Sequence, residues 1–177
     1  MILKKLDISV PDELSFIKEL YMGSFPLCER RPENTMLKLY QDNPIFDIAM
    51  VMENNNYVGF LTYWSFKEFI FAEHFAISPN FRNGGYGGKV MQKFIEEAAH
   101  KPIILEVELP TTIMSERRIG FYQRLGFKLW TNIQYQQPSY HKNDEVIPMK
   151  LMSIGNIDLE KDIKEIRSII YESVYNC

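Results

Sequence analysis

Four of the chain's nine glycines fall within five positions, Gly84-Gly85-Tyr86-Gly87-Gly88. Before them lies a β-type run, Phe69 to Ser78. After them, Lys89 to His100 repeats Val90, Met91, Phe94, Ile95 and Ala98 at helical spacing. A strand, a glycine loop and a helix in that order leave N–H groups at the helix start without intrahelical partners, where partial positive charge favours an anion. Glycines let the backbone approach such an anion closely, and Arg82 adds a charged donor. Two familiar phosphate loops fail on spacing. A Walker loop ending at Gly88-Lys89 needs glycine at Asn83 and a hydroxyl at Val90, and a dinucleotide fingerprint from Gly85 also needs a small residue at Val90.

The rest of the chain reads as mixed α/β. Ile2 to Val10 is a first strand, and Pro11-Asp12-Glu13 opens a helix with Leu14, Ile17, Leu20 and Tyr21 on one face. A short helix follows from Glu33 to Tyr40. The runs Phe46 to Glu53 and Tyr57 to Phe66 flank Asn54-Asn55-Asn56, so they read as a hairpin, and Phe69 to Ser78 extends it to a meander. Ile103 to Leu109 is a strand, Ser115 to Leu125 a helix closed by Gly126, and Phe127 to Trp130 and Val146 to Met152 are late strands around a polar loop. The expected sheet has six to seven strands, mostly antiparallel, flanked by helices. Residues 153–177 differ in character. Leu159, Ile163, Ile166, Ile170 and Val174 form an amphipathic helix, packed on the domain or serving a homodimer interface.

Composition narrows the function. Apolar residues make up 46% of the 177 and aromatics 14%, enough for a packed core rather than a disordered chain. A net charge of −3 argues against a nucleic-acid binder acting through a basic field. Cys28 and Cys177 form neither a disulfide framework nor a metal-type spacing, and no metal is expected. The N-terminus lacks a signal-peptide core and no run is long enough to span a membrane, so the expectation is a cytoplasmic protein.

The spacing that does fit is Arg-x-x-Gly-x-Gly, at Arg82, Gly85 and Gly87, preceded by Phe75-Ala76-Ile77-Ser78-Pro79. Together with Ile119-Gly120-Phe121-Tyr122-Gln123-Arg124-Leu125-Gly126-Phe127, it resembles the GNAT superfamily of N-acetyltransferases over residues 1–152. The resemblance implies a GNAT-like sheet and acetyl-CoA as cosubstrate. Its pyrophosphate would lie on Arg82, Asn83, Gly84, Gly85, Tyr86, Gly87 and Gly88, and its pantetheine arm along Phe75, Ala76 and Ile77. The family often carries Asn seven residues before the tyrosine; here Ser115 stands there, a candidate cofactor contact or helix cap, and Arg118 replaces a small residue. The chain is expected to be an acyltransferase acting on a small-molecule primary amine by direct attack. A protein lysine or N-terminal acetyltransferase is the alternative acceptor reading, and a non-catalytic CoA-binding module the alternative class.

That chemistry needs a base, because an alkyl ammonium near pKa 10.4 leaves about one molecule in a few thousand nucleophilic at pH 7. It also needs an acid for the departing thiolate, and Tyr122 holds the family's motif position. Glu73 alternates with Phe75 and Ile77, which puts the three on one face of the strand and His74, read as structural, on the other. Glu106 and Glu108 share a face opposite Leu105, Val107 and Leu109. Glu73, Glu106 and Glu108 are all candidates for the base, with pairing to Arg117, Arg118 or His74 as the structural alternative. The stretches Glu29-Arg30-Arg31-Pro32 and Tyr135 to His141 are candidates for the acceptor side.

Overall fold

In the computed structural model, which describes residues 1–141 and 145–177, the hairpin forms where expected. β2 (Phe46–Glu53) and β3 (Asn56–Ser65) pair down to Glu53 opposite Asn56. The two-residue turn puts Asn54 at φ +48 and Asn55 at φ +61, a region asparagine tolerates. β4 (Ile70–Ile77) pairs antiparallel with β3, and β1 (Ile2–Lys5) with β2. β1 is shorter than expected, because Asp7 accepts from the Ser9 N–H and turns the chain before α1 (Pro11–Ser24). α2 is Glu33–Asp42.

α3 (Tyr86–Glu97) carries the crossover to β5 (Ile103–Glu108), which lies parallel to β4. The helix starts earlier than its apolar face suggests, because Gly87 and Gly88 already belong to its first turn. α4 (Ile113–Arg124) follows, then β6 (Lys128–Leu129), β7 (Tyr135–Gln137) and β8 (Ile147–Ile154). Sheet order is β1-β2-β3-β4-β5-β8-β6, with β7 also on β8. Among the described residues that makes eight strands, with β4–β5 the one parallel pair. The count exceeds six or seven because β7 is three residues of Tyr-Gln-Gln, too short and polar to read as a strand.

The sheet has two covered faces. On one, Ile17 and Tyr21 of α1 and Met36 of α2 pack with Phe46, Phe60, Trp64 and Phe71. On the other, Met91 and Phe94 of α3 and Ile119 of α4 pack with Leu61, Ala72 and Leu105. The C-terminal helix α5 (Leu159–Ile170) joins the first face, burying Leu159, Ile166 and Ile170, and continues into one wide π-type turn, Tyr171–Tyr175. No helix of the described residues is long and apolar enough to cross a membrane. Because Ile170 is fully buried among those side chains, Ile170→Ala should cost about 2–5 kcal/mol in urea unfolding, without a change in denaturant slope.

Candidate active site

β4 and β5 stay together only for Ile70–Ala72 against Ile103–Leu105. Beyond that they part: β4 runs on to Ile77, while β5 continues along β8 to Glu108 opposite Met149. The wedge between them opens into a cleft of about 590 Å³, lined by Glu73 to Ile77, Glu106 and Glu108, with Tyr122, Arg118 and Met114 from α4 on one wall. Phe25, Pro26 and Glu29 line the side of α1, and Gln137 and Tyr140 the far end. Along the free edge of β4, backbone donors and acceptors meet the cleft instead of a neighbouring strand.

The acids expected here take three different environments. A bulge separates Thr62 opposite His74 from Tyr63 opposite Ala72, leaving Glu73 as the extra residue. The strict alternation expected of this strand therefore fails at Glu73. Phe75 and Ile77 pack toward α3, but Glu73 reaches Trp64 and Thr62, on the same side as His74. There Arg31 Nη2 lies 2.5 Å from Glu73 Oε1, both side chains almost fully buried, and Tyr140 donates to the same oxygen at 2.9 Å. Burial alone would raise this carboxyl; the Arg31 charge and the hydrogen bonds from His74 and Tyr140 outweigh it and pull it down to about 2. A carboxylate so held is a poor proton acceptor. Arg31, expected to face the acceptor, instead neutralises Glu73 and donates to the Val174 carbonyl at 2.8 Å.

Glu106 shares its side of β5 with Glu108, as expected, but among the described residues no cation pairs with it. Its two oxygens accept phenol hydroxyls, Oε1 from Tyr135 at 2.5 Å and Oε2 from Tyr175 at 2.7 Å. Burial, opposed by these two hydrogen bonds and reinforced by Glu73, lifts it to about 7. Glu108 instead meets Arg118, Nη1 to Oε2 at 2.5 Å, and both stay partly exposed. That contact accounts for the long cation at position 118.

Tyr122 projects from α4 into the cleft with its ring edge-on to Phe127 and Phe121. Burial pushes its phenol up to about 12, with Arg118 pulling the other way, so it holds its proton at neutral pH. α4 is set by a capping box. Thr112 accepts from the Ser115 N–H, and the Ser115 hydroxyl accepts from the Thr112 N–H while reaching its carbonyl. The helix therefore begins at Ile113, and Ser115, expected near the cofactor, spends its hydroxyl on the cap. His74, read as structural, is held on both ring nitrogens. It bonds to Thr62 Oγ1 and to the Glu29 carbonyl, with its ring edge-on to Tyr21 and Phe25.

At the outer end of β4, Arg82 donates to the Ile77 carbonyl at 3.0 Å and lines the cleft. Asn83 and Gly85 have positive φ, +64 and +73, and Gly85 caps α3. A side-chain carbon at Gly88 would meet nothing within 4 Å, and one at Gly87 would meet only the Phe121 and Ile77 side chains at 3.7 Å or more. This is an open, glycine-walled helix start at the mouth of the cleft, a fit for a pyrophosphate reaching inward along β4. Tyr135, Tyr140 and Tyr175 completed the acid environments without being singled out by periodicity. The i, i+4 pair Tyr171–Tyr175 is the signal that would have marked the last of them.

The acetyltransferase (GNAT) family model matches residues 14–127. YjbC of Bacillus subtilis (strain 168), assigned as an acetyltransferase, is 30% identical over 154 residues, 85% of this chain and 77% of that protein. A Bacteroides thetaiotaomicron structure assigned to the GNAT family superposes with a TM-score of 0.94 at 40% identity, covering 100% of this chain and 99% of that one. An aminoglycoside 6'-N-acetyltransferase complexed with coenzyme A shares the fold at a TM-score of 0.61 and 16% identity, over 89% and 98% of the two chains. Placing carboxylates at the glycine-walled helix start, with Gly87→Glu and Gly88→Glu together, should leave the melting temperature near wild type. Acetyl-CoA affinity by calorimetry should fall at least tenfold.

Proposed function

Because the chain belongs to the GNAT acetyltransferase family, we propose that it transfers the acetyl group of acetyl-CoA to a primary amine of a small cationic molecule, by direct attack in a ternary complex. One observation carries this reading. A buried carboxyl near 7 and a phenol near 12 line the same cleft, beside the free backbone edge of β4. Two titratable groups driven apart in this way suit a base and an acid working together at neutral pH.

Acetyl-CoA supplies the activated thioester, with its pyrophosphate on the loop from Arg82 to Gly88. Glu106 takes a proton from the bound ammonium, and the freed amine forms the new C–N bond at the carbonyl carbon. Backbone donors along β4 from Phe75 to Ile77 are available to the carbonyl oxygen as negative charge builds there. When the C–S bond breaks, Tyr122 gives its proton to the departing sulfur, and the second proton lost by the attacking nitrogen restores the phenol. Glu73 is left out of this sequence, since Arg31 holds it ionised and occupied. Among the described residues no cysteine lines the cleft, which supports direct attack over a thioester on the protein.

The cationic acceptor follows from charge. Of the lining acids, Glu73 is paired with Arg31 and Glu108 with Arg118, which leaves Glu29 and Glu106 against Arg82. Glu29, half-buried, is raised by burial and by Glu108, as expected of an acid in an electronegative pocket. A protein acceptor is favoured by a different feature, the exposed Met114 on the wall of the cleft. Parallel assays with small polyamines, amino acids and lysine peptides separate the two readings. A non-catalytic module would give no acceptor-dependent release of CoA.

With Glu106 as base, the ionised carboxylate is the active form, so kcat/KM should rise with pH through a midpoint near 7. Glu106→Gln should lower kcat/KM at pH 7 at least a hundredfold and remove that limb. Tyr122→Phe should lower kcat at least tenfold while leaving the acetyl-CoA dissociation constant within about twofold.

A further inference from the structure

The wide turn that ends the C-terminal helix reaches the cleft from behind. Val174 and Tyr175 are adjacent and both buried, and the π-type turn presents both inward. The Val174 carbonyl accepts from Arg31 Nη2, the nitrogen that also pairs with Glu73. The Tyr175 hydroxyl donates to Glu106 Oε2 at 2.7 Å, and its ring lies 4.9 Å from that of Tyr140. Tyr171, one turn earlier, ties the same segment to β7 through the Gln136 carbonyl. These contacts come from residues beyond the stretch that the family model matches, 14–127.

We propose that the C-terminal turn Tyr171–Tyr175 is a working part of the catalytic site, and that Tyr175 is a positioning residue that orients the Glu106 carboxylate and sets its readiness to take a proton. The proposal rests on the reading of Glu106 as base. Tyr135 clamps Oε1 and Tyr175 clamps Oε2, so the carboxylate plane is fixed from both sides. Both phenols are raised well above their ordinary range by burial first and by Glu106 next, so they remain donors at any working pH. A donated hydrogen bond to a carboxylate stabilises the ionised form, so losing one makes Glu106 hold its proton to higher pH. The other groups around Glu106 stay in place when the hydroxyl is removed. They are Tyr140 beyond β7, Glu73 of β4 with Arg31 behind it, Glu108 on its own strand, and Arg118 and Tyr122 across the cleft.

The test compares kcat/KM against pH for the wild type, Tyr175→Phe, Glu106→Gln and Ile163→Ala, with infrared titration of the carboxyl band that Glu106→Gln removes. Tyr175→Phe keeps the ring and loses one hydroxyl, while Ile163→Ala loosens the same helix away from the cleft. The expected result is an acidic limb and a Glu106 carboxyl titration both moved up by about one to two pH units in Tyr175→Phe. Activity should return at high pH, acetyl-CoA affinity should be unchanged, and Ile163→Ala should show no shift. An unmoved limb and band in Tyr175→Phe, with the limb still lost in Glu106→Gln, would overturn the positioning role and leave Glu106 as base. A wild-type profile in Glu106→Gln would overturn both. Equal shifts in Tyr175→Phe and Ile163→Ala would reduce the turn to general support and overturn the proposal.

Discussion

Backbone hydrogen bonds in a sheet are hard to leave unmade, and here one ladder is broken on purpose between two central strands. β4 and β5 share three residues of register and then separate, while their outer neighbours β3 and β8 keep both strands in place. The core on either face thus remains continuous as the middle of the sheet opens. Everything used at the site hangs on that opening. The free edge of β4, the inward acids of β5 and the tyrosine of α4 meet there, where two intact ladders would have left no room.

Opening a sheet at its centre exposes buried polar groups, and the chain answers with one cation. Arg31 sits among aromatic rings, its guanidinium 4.6 Å from the centre of Tyr140 and 5.6 Å from that of Trp64. It neutralises Glu73 and satisfies a backbone carbonyl of the C-terminal turn. Removing one member of such a pair strands the other charge, at about 3–5 kcal/mol. Glu106, a short way along the wedge, receives hydrogen bonds but, among the described residues, no counter-charge. That difference drives two carboxyls on neighbouring strands apart, one down to about 2 and the other up to about 7.

Much of this was legible in the amino-acid order. The glycine cluster with Arg82, the hairpin at Asn54-Asn55 and the tyrosine at 122 are local patterns with local causes: the glycines open α3, the hairpin closes, and Tyr122 lines the cleft. What escaped was set by non-local contacts. The bulge that turns Glu73 toward Arg31 adds one residue to a strand that carries neither glycine nor proline between Phe71 and Ile77 to mark it. The Thr112–Ser115 box moved the start of α4 because either hydroxyl fits a cap. Tyr175 stands next to Val174, the last member of an apolar stripe whose repeat predicts burial of that face but is silent on where a neighbouring hydroxyl ends.

The contact between Arg31 and Val174 spans 143 positions, and that between Glu106 and Tyr175 spans 69. Closures over such distances forfeit more chain entropy than a hairpin or a helical turn, and they form after local structure. The sheet, the glycine loop and α4 can be in place while the environment of the two central acids is still unfinished. On the reading of the Arg82–Gly88 loop as the cosubstrate site and of Glu106 as base, the two competences would arise at different moments of folding. An opening of the tail in the native protein would then release the Glu106 carboxyl from Tyr175 while the loop is still whole.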